Sequence, residues 1–174
     1  CFWMRVYEIP EGSKNSKGRA IQNLINIEQD DRIKAFICTQ DLKDEEYVNS
    51  NYVIMATKMG QVKKTSLEQY SRPRSNGINA ITIKEGDELL EAKLTNGNSQ
   101  IMLAVQSGKA IRFEESKTRP MGRNASGVRG ITLADSKDEV VGMVAVNDMD
   151  ANILVVSENG YGKRSSLDDY RITN

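Results

Sequence analysis

One phrase occurs three times along this chain. Val53-Ile-Met-Ala-Thr-Lys-Met-Gly60, Ile101-Met-Leu-Ala-Val-Gln-Ser-Gly108 and Ile153-Leu-Val-Val-Ser-Glu-Asn-Gly160 each give an apolar run, a polar pair and a glycine turn. The glycines stand 48 and 52 residues apart. A period near fifty marks one supersecondary unit copied in series, so the chain folds as an array and not around a single centre. Function is then expected on a surface that the copies build jointly.

The apolar run of each phrase is dense in branched residues without alternation, as in a strand covered on both faces. In the second copy the turn Lys58-Met-Gly60 leads to a more polar strand, Gln61-Val-Lys-Lys-Thr-Ser66. Leu67-Glu-Gln-Tyr70 fits one helical turn, and Ser71–Asn76 a loop. Gly77–Ile83 alternates like a third strand, and Leu89–Leu94 reads as a fourth. Asn96-Gly97 is a hairpin signal. The third copy repeats this order with strands at Ile101–Val105, Lys109–Phe113, Gly127–Leu133 and Val140–Val146. The expected fold is all-β: four-stranded antiparallel blades in a propeller-like array, about three blades plus part of a fourth. The copies span 1–46, 52–96, 100–148 and 152–174. The first enters late, with Phe2-Trp-Met-Arg5 where the second has Lys63-Lys-Thr-Ser66, and it carries an acidic insertion, Asp41-Leu-Lys-Asp-Glu-Glu46. Neither end falls at a repeat boundary, so the chain reads as an arc of a longer ring. Its end strands must stay open, lack order or pair with a neighbouring molecule.

Composition narrows the function. The chain has 174 residues, 39% of them hydrophobic and 28% charged, as in a soluble folded protein. No run approaches a membrane span, and the apolar start Cys1-Phe-Trp-Met4 is too short for a secretory leader. Cys1 and Cys38 form no metal-spaced pair and read as inert thiols of a cytoplasmic protein. There is no histidine, which removes the commonest general base and metal ligand. With no nucleophile motif and no phosphate-cradling loop either, the chain does not read as a catalyst.

Net charge is zero, but the charge is sorted by position within the repeat. Segment 58–78 carries Lys58, Lys63, Lys64, Arg72 and Arg74 against Glu68, a net +4. Segment 107–129 carries Lys109, Arg112, Lys117, Arg119, Arg123 and Arg129 against Glu114 and Glu115, again +4. Segment 1–21 carries Arg5, Lys14, Lys17 and Arg19 against Glu8 and Glu11, a net +2. The complementary segments 28–46, 84–96 and 134–150 are acidic, at −4, −2 and −4. A single Lys-Lys pair is ordinarily a solvated face. The same charge at the same point of three copies predicts a basic stripe suited to a phosphate backbone. Gly18, Gly77 and Gly127 in the basic loops would let a duplex approach closely. No Lys or Arg sits at helical spacing for base edges, so binding would be backbone-driven and steeply salt-dependent.

Several of these segments resemble a known family. Tyr7-Glu-Ile-Pro-Glu-Gly12, Lys17-Gly-Arg-Ala-Ile-Gln-Asn-Leu24, Ala56-Thr-Lys-Met-Gly-Gln-Val-Lys-Lys-Thr65, Arg119-Pro-Met-Gly-Arg123, Gly127-Val-Arg-Gly-Ile131 and Asn159-Gly-Tyr-Gly-Lys-Arg164 look like the carboxy-terminal domain of DNA gyrase A. The resemblance covers essentially the whole chain. It implies a β-pinwheel, a propeller-like ring in which neighbouring blades exchange a strand and a basic rim wraps double-stranded DNA. It also implies partners, the rest of gyrase A and its companion gyrase B, which hold the catalytic tyrosine and the sites for ATP and Mg2+. No cofactor, small-molecule substrate or membrane partner is then expected for this chain, and its place is the bacterial cytoplasm, on the chromosome. The family's Gln-Arg-Arg-Gly-Gly-Lys-Gly box does not occur here. Its counterparts are the loops Ser13–Arg19, Ser71–Gly77 and Gly122–Gly127. The related C-terminal domain of topoisomerase IV is the runner-up, and a propeller-type protein-interaction scaffold is the alternative from another class.

The DNA-contacting candidates are Lys14, Lys17, Arg19, Lys63, Lys64, Arg72, Arg74, Lys109, Arg112, Arg119, Arg123, Arg129, Lys163 and Arg164. Phe2 and Trp3 read as core, Tyr70, Tyr170 and Ile9 as recurrent packing anchors, and Met55 and Met102 as core filler. Asp87-Glu88 reads as a solvated turn.

Overall fold

The computed structural model describes residues 1–28 and 30–173. Strand β1 (Tyr52–Thr57) turns at Gly60 into β2 (Gln61–Ser66), which runs into a 3-10 turn at Leu67–Tyr70. Strand β3 (Leu89–Thr95) completes that copy's own strands. The next copy repeats the order with β4 (Gln100–Val105), β5 (Ala110–Glu114), a 3-10 turn at Glu115–Lys117, β6 (Val128–Arg129) and β7 (Val140–Val146). The last copy gives β8 (Asn152–Val156), β9 (Gly162–Ser166) and a 3-10 turn at Leu167–Asp169. The recurrent glycine closes each first hairpin with left-handed backbone: φ is 82° at Gly60, 87° at Gly108 and 83° at Gly160. Only glycine adopts that region without strain.

The named strands pair antiparallel, and isolated parallel bridges join Lys64 to Pro120 and Arg112 to Ile172. The strand order is β3-β1-β2-β6 in the first sheet, β5-β4-β7 in the second and β8-β9 in the third. Strand β6 belongs in sequence to the third copy, yet it pairs with β2 of the second, Val62 facing Val128. That is a strand exchange between neighbouring blades. The preceding junction repeats it in outline, because Cys1 and Ile78 exchange backbone hydrogen bonds where Val62 and Val128 pair. The copies are therefore joined by backbone pairing as well as by side chains.

Two departures from the sequence expectation follow from this exchange. Gly77–Ile83 forms no assigned strand, and only Val128–Arg129 of the expected Gly127–Leu133 does. These segments cross to the copy before them and pair there over only a residue or two, Val128 and Arg129 with Val62 and Gln61, and Ile78 with Cys1. The acidic insertion leads into helix α1 (Glu45–Ser50), which the sequence reading did not place. Asp44 caps it by accepting the Tyr47 N–H at 3.1 Å, and Glu45 and Glu46 lie in the first turn, where the helix dipole favours acids. Val48 turns into the core beside Leu67 and Tyr70.

The core lies between sheets. Ile54, Ala56 and Val62 of the second copy pack with Ile101, Leu103, Val105, Phe113, Val140 and Met143 of the third. Val53, Met55, Leu67, Tyr70 and Ala92 form a second cluster, against which Trp3 packs. Met55 and Met102 are buried as expected, but Ile9 is exposed. The acidic turns are not merely solvated. Asp87 accepts the N–H of Met59 at 2.9 Å, and Asp138 accepts that of Ser107 at 3.0 Å, each bracing its copy's glycine turn. Burial pushes the Asp138 carboxyl up, but hydrogen bonds from Ala134 and Ser107 outweigh that and hold it below the usual carboxylate range.

Candidate nucleic-acid interface

The basic candidates separate into an inner and an outer set. The inner set lies on the second strand of each copy. Lys63, Lys64 and Arg112 are 0%, 4% and 6% exposed, so the sequence expectation that they meet a phosphate backbone is corrected. Each is turned into the junction with the following copy. The Lys64 ammonium sits 3.1 Å from Glu115 Oε1 and 4.2 Å from the centre of the Tyr52 ring. The same carboxylate accepts from Thr95 Oγ1 at 2.7 Å and from the Ser99 N–H at 3.2 Å. Arg112 donates through Nη1 to the carbonyls of Leu167 at 2.7 Å and Tyr170 at 3.1 Å, and through Nε to Gln100 at 2.6 Å. Trp3 holds the corresponding place in the first copy and donates to the Tyr70 carbonyl at 3.0 Å. Lys63 bridges copies by donating to the carbonyls of Ala80 and Arg123. Burial, reinforced by the Arg123 charge, lowers its ammonium to about 8. A buried cation without such partners would be strongly destabilising.

The glycines assigned to DNA approach serve the same junctions. A Cβ at Gly127 would lie 2.6 Å from the Val62 carbonyl, and one at Gly77 2.9 Å from that of Cys1. Both residues also have left-handed backbone. The close approach they permit is therefore between one copy and the next. Gly18 has open space around it.

The outer set lies on loops. Lys14, Lys17 and Arg19 of the first copy, Arg72 and Arg74 of the second and Arg119 of the third are exposed, and Arg123 is half-buried. Lys109, in a hairpin turn, is exposed as well. Among the described residues none of these eight makes an ion pair, whereas Lys34, Lys58, Lys64 and Lys93 do. Glu88 and Glu139 of the acidic segments thus pair with Lys34 and Lys58 and not with the loop cations. The structure brings Arg74 and Arg123 to one open groove of about 930 Å³, with the amides of Asn76, Asn79 and Asn124. Glu28 and Asp31 line it as well. The sequence reading missed these asparagines; their signal was asparagine recurring in the glycine-closed loops. Arg129 is exposed on β6, on the edge of the second copy's sheet. Lys163 and Arg164 are exposed on β9, at the far end of the array from Lys14 and Lys17.

Antiparallel sheets in series, the first of them extended by strand β6 from the next copy, define a β-propeller of the strand-exchanged kind. The chain belongs to the family described as the DNA gyrase C-terminal domain, beta-propeller, which it matches over residues 1–40, 51–96, 100–147 and 151–174. The unmatched residues 41–50 hold the acidic insertion and α1. Among curated proteins the chain is 47% identical over 169 residues to the DNA gyrase A of Salmonella typhimurium, an alignment that covers 97% of this chain and 18% of that protein. It is 45% identical over 172 residues to the gyrase A of Staphylococcus epidermidis, covering 98% and 19%. The chain thus spans about a fifth of these relatives. Among solved structures, the C-terminal domain of a DNA topoisomerase IV superposes with a TM-score of 0.83 at 28% identity, over 97% of this chain and 50% of that one. A DNA gyrase A C-terminal domain superposes at 0.77 and 23% identity, over 91% and 50%, a likeness of fold. Gyrase A is the better fit of the two, because the sequence relatives at 44–47% identity bear that name.

Proposed function

We propose that this chain binds the backbone of double-stranded DNA through its outer loops and acts as a DNA-wrapping module of gyrase A. The observation that carries the reading is the set of loop cations from three successive copies, exposed or, at Arg123, half-buried, and among the described residues without ion pairs, whereas Lys34, Lys58 and Lys93 are paired with carboxylates. Lys14, Lys17, Arg19, Arg72, Arg74, Lys109, Arg119, Arg123 and Arg129 would each neutralise phosphates and release counterions. Asparagine amides and loop N–H groups would add uncharged donors. Nothing in this arrangement reads base edges, so contact is independent of sequence.

The whole enzyme, gyrase A and gyrase B together, would then introduce negative supercoils at the expense of ATP. In this account ATP and Mg2+ act in other parts of the assembly, and this chain contributes the path of the DNA, in the cytoplasm and on the chromosome. Reversal of Arg72, Arg74, Arg119 and Arg123 to glutamate tests the reading in duplex-binding titrations. Loss of binding with retained folding supports it. Unchanged binding contradicts it, and favours the protein-interaction scaffold.

A further inference from the structure

The Arg123 loop of the third copy is tied to the second copy by a short series of hydrogen bonds. Lys63 of β2 donates to the carbonyls of Ala80 and Arg123. Thr82 continues the tie. Its Oγ1 donates to the Asn124 carbonyl at 2.7 Å, and its N–H donates to the Ala125 carbonyl at 3.2 Å. Three successive carbonyls of the loop 122–127 are thus held by the second copy. The Ala125 N–H closes the same loop on the Gly122 carbonyl at 3.1 Å.

With its carbonyls committed in this way, the loop sets Arg123 and Asn124 on the open groove that Arg74, Asn76 and Asn79 of the second copy also line. A cation on a free loop loses loop and side-chain freedom when it takes hold of a phosphate, and that ordering weakens binding. A loop tied down beforehand avoids part of the loss. Thr82 is the exposed member of the tie, whereas Lys63 is buried. The sequence repeats the arrangement: Ile131-Thr-Leu133 follows Gly127 at the spacing at which Ile81-Thr-Ile83 follows Gly77. A hydroxyl at this place is part of the copied unit.

We propose that Thr82 is a positioning residue for DNA binding: its hydroxyl and N–H fix the Arg123 loop to the second copy, so that Arg74 and Arg123 meet the phosphate backbone as one preset pair. Thr82 itself touches no phosphate in this account; it acts through Arg123. The inference rests on the DNA reading above and adds that basic loops from two copies work as a unit.

Titrations with a labelled random-sequence duplex test it. Arg123→Gln should lower wild-type affinity about eightfold at about 0.1 M salt, the counterion release of one phosphate contact. Thr82→Val keeps the branched shape and removes the hydroxyl. It should lower affinity about three- to eightfold, within the worth of one hydrogen bond, with unchanged circular dichroism and melting. Thr82→Ser restores the donor and should bind as the wild type does. In the Thr82→Val background Arg123→Gln should cost less than about twofold, because the two residues act in series. Arg72→Gln, outside the tied loop, should lose the same factor in both backgrounds. Three results overturn the proposal and leave the DNA reading standing: Thr82→Val that binds like the wild type, Thr82→Ser that binds like Thr82→Val, and an equal Arg123→Gln loss in both backgrounds. An Arg123→Gln chain that binds like the wild type overturns the proposal together with the DNA contact assigned to Arg123.

Discussion

Lys64 of the second copy and Glu115 of the third meet at 3.1 Å across a junction from which both are withdrawn from water. Desolvating two charges is costly, and the geometry answers it with further donors from Thr95 and Ser99 and with the Tyr52 ring. Removing one partner strands the other, so Glu115→Ala should destabilise the chain by about 3–5 kcal/mol. Replacing both, as Lys64→Met with Glu115→Leu, should recover most of that loss. Urea denaturation of the single and double variants measures the difference. A double variant no more stable than the singles would show that the pair is not the seat of the effect.

The glycines give a contrast within one molecule. Gly108 and Gly127 both have left-handed backbone, with φ of 87° and 91°. A Cβ at Gly108 meets nothing, whereas one at Gly127 runs into the Val62 carbonyl. Gly108→Ala should therefore lower stability by about 1–2 kcal/mol, the strain of a left-handed residue. Gly127→Ala should lower it by clearly more and loosen the pairing of β6 with β2. Thermal melts rank the two variants, and amide exchange at Val128 reports the pairing. Equal losses would deny that blade contact fixes Gly127.

Lys63 makes stability respond to alkali. Its ammonium titrates at about 8 in the folded chain, against a usual 10.5. Between those values the unfolded chain holds more protons, so raising pH through the window favours the folded state. The Nζ keeps two N–H donors when neutral, so its carbonyl partners remain satisfied. Two groups act oppositely at higher pH. Burial raises the Tyr70 phenol, and the Glu88 and Glu139 carboxylates raise Lys58, so the folded state loses ground as pH climbs past their usual values. The melting temperature should rise from pH 8 towards 10 and fall beyond. In Lys63→Met the rise should vanish. A wild type and a variant that track each other across the window would contradict this role.

The strands and glycine turns were legible because they depend on contacts within one copy, and a fifty-residue period displays them repeatedly. The direction of Lys63, Lys64 and Arg112 was not legible, because what buries them comes from another copy. Gln61–Ser66 reads as a polar, solvated strand until the 3-10 turn of the next copy is laid across it. A signal was nonetheless present. Trp3 stands in the column of Lys64 and Arg112, and an aromatic there fits an enclosed site better than a phosphate contact. Helix α1 was missed because the acids of its first turn read as an insertion, although Asp44 with Glu45 and Glu46 is an N-terminal signature.

The central claim is that strand cations hold the copies together while loop cations meet DNA. Duplex binding against salt concentration tests it most directly. Wild-type affinity should fall steeply with added salt. Replacing Arg72, Arg74, Arg119 and Arg123 by glutamine should reduce the slope of log affinity against log salt by about 3–4, near 0.9 for each lost phosphate contact. The Lys64→Met, Glu115→Leu chain should keep the wild-type slope. A loop variant with an unchanged slope, or a junction variant that loses it, would contradict the account.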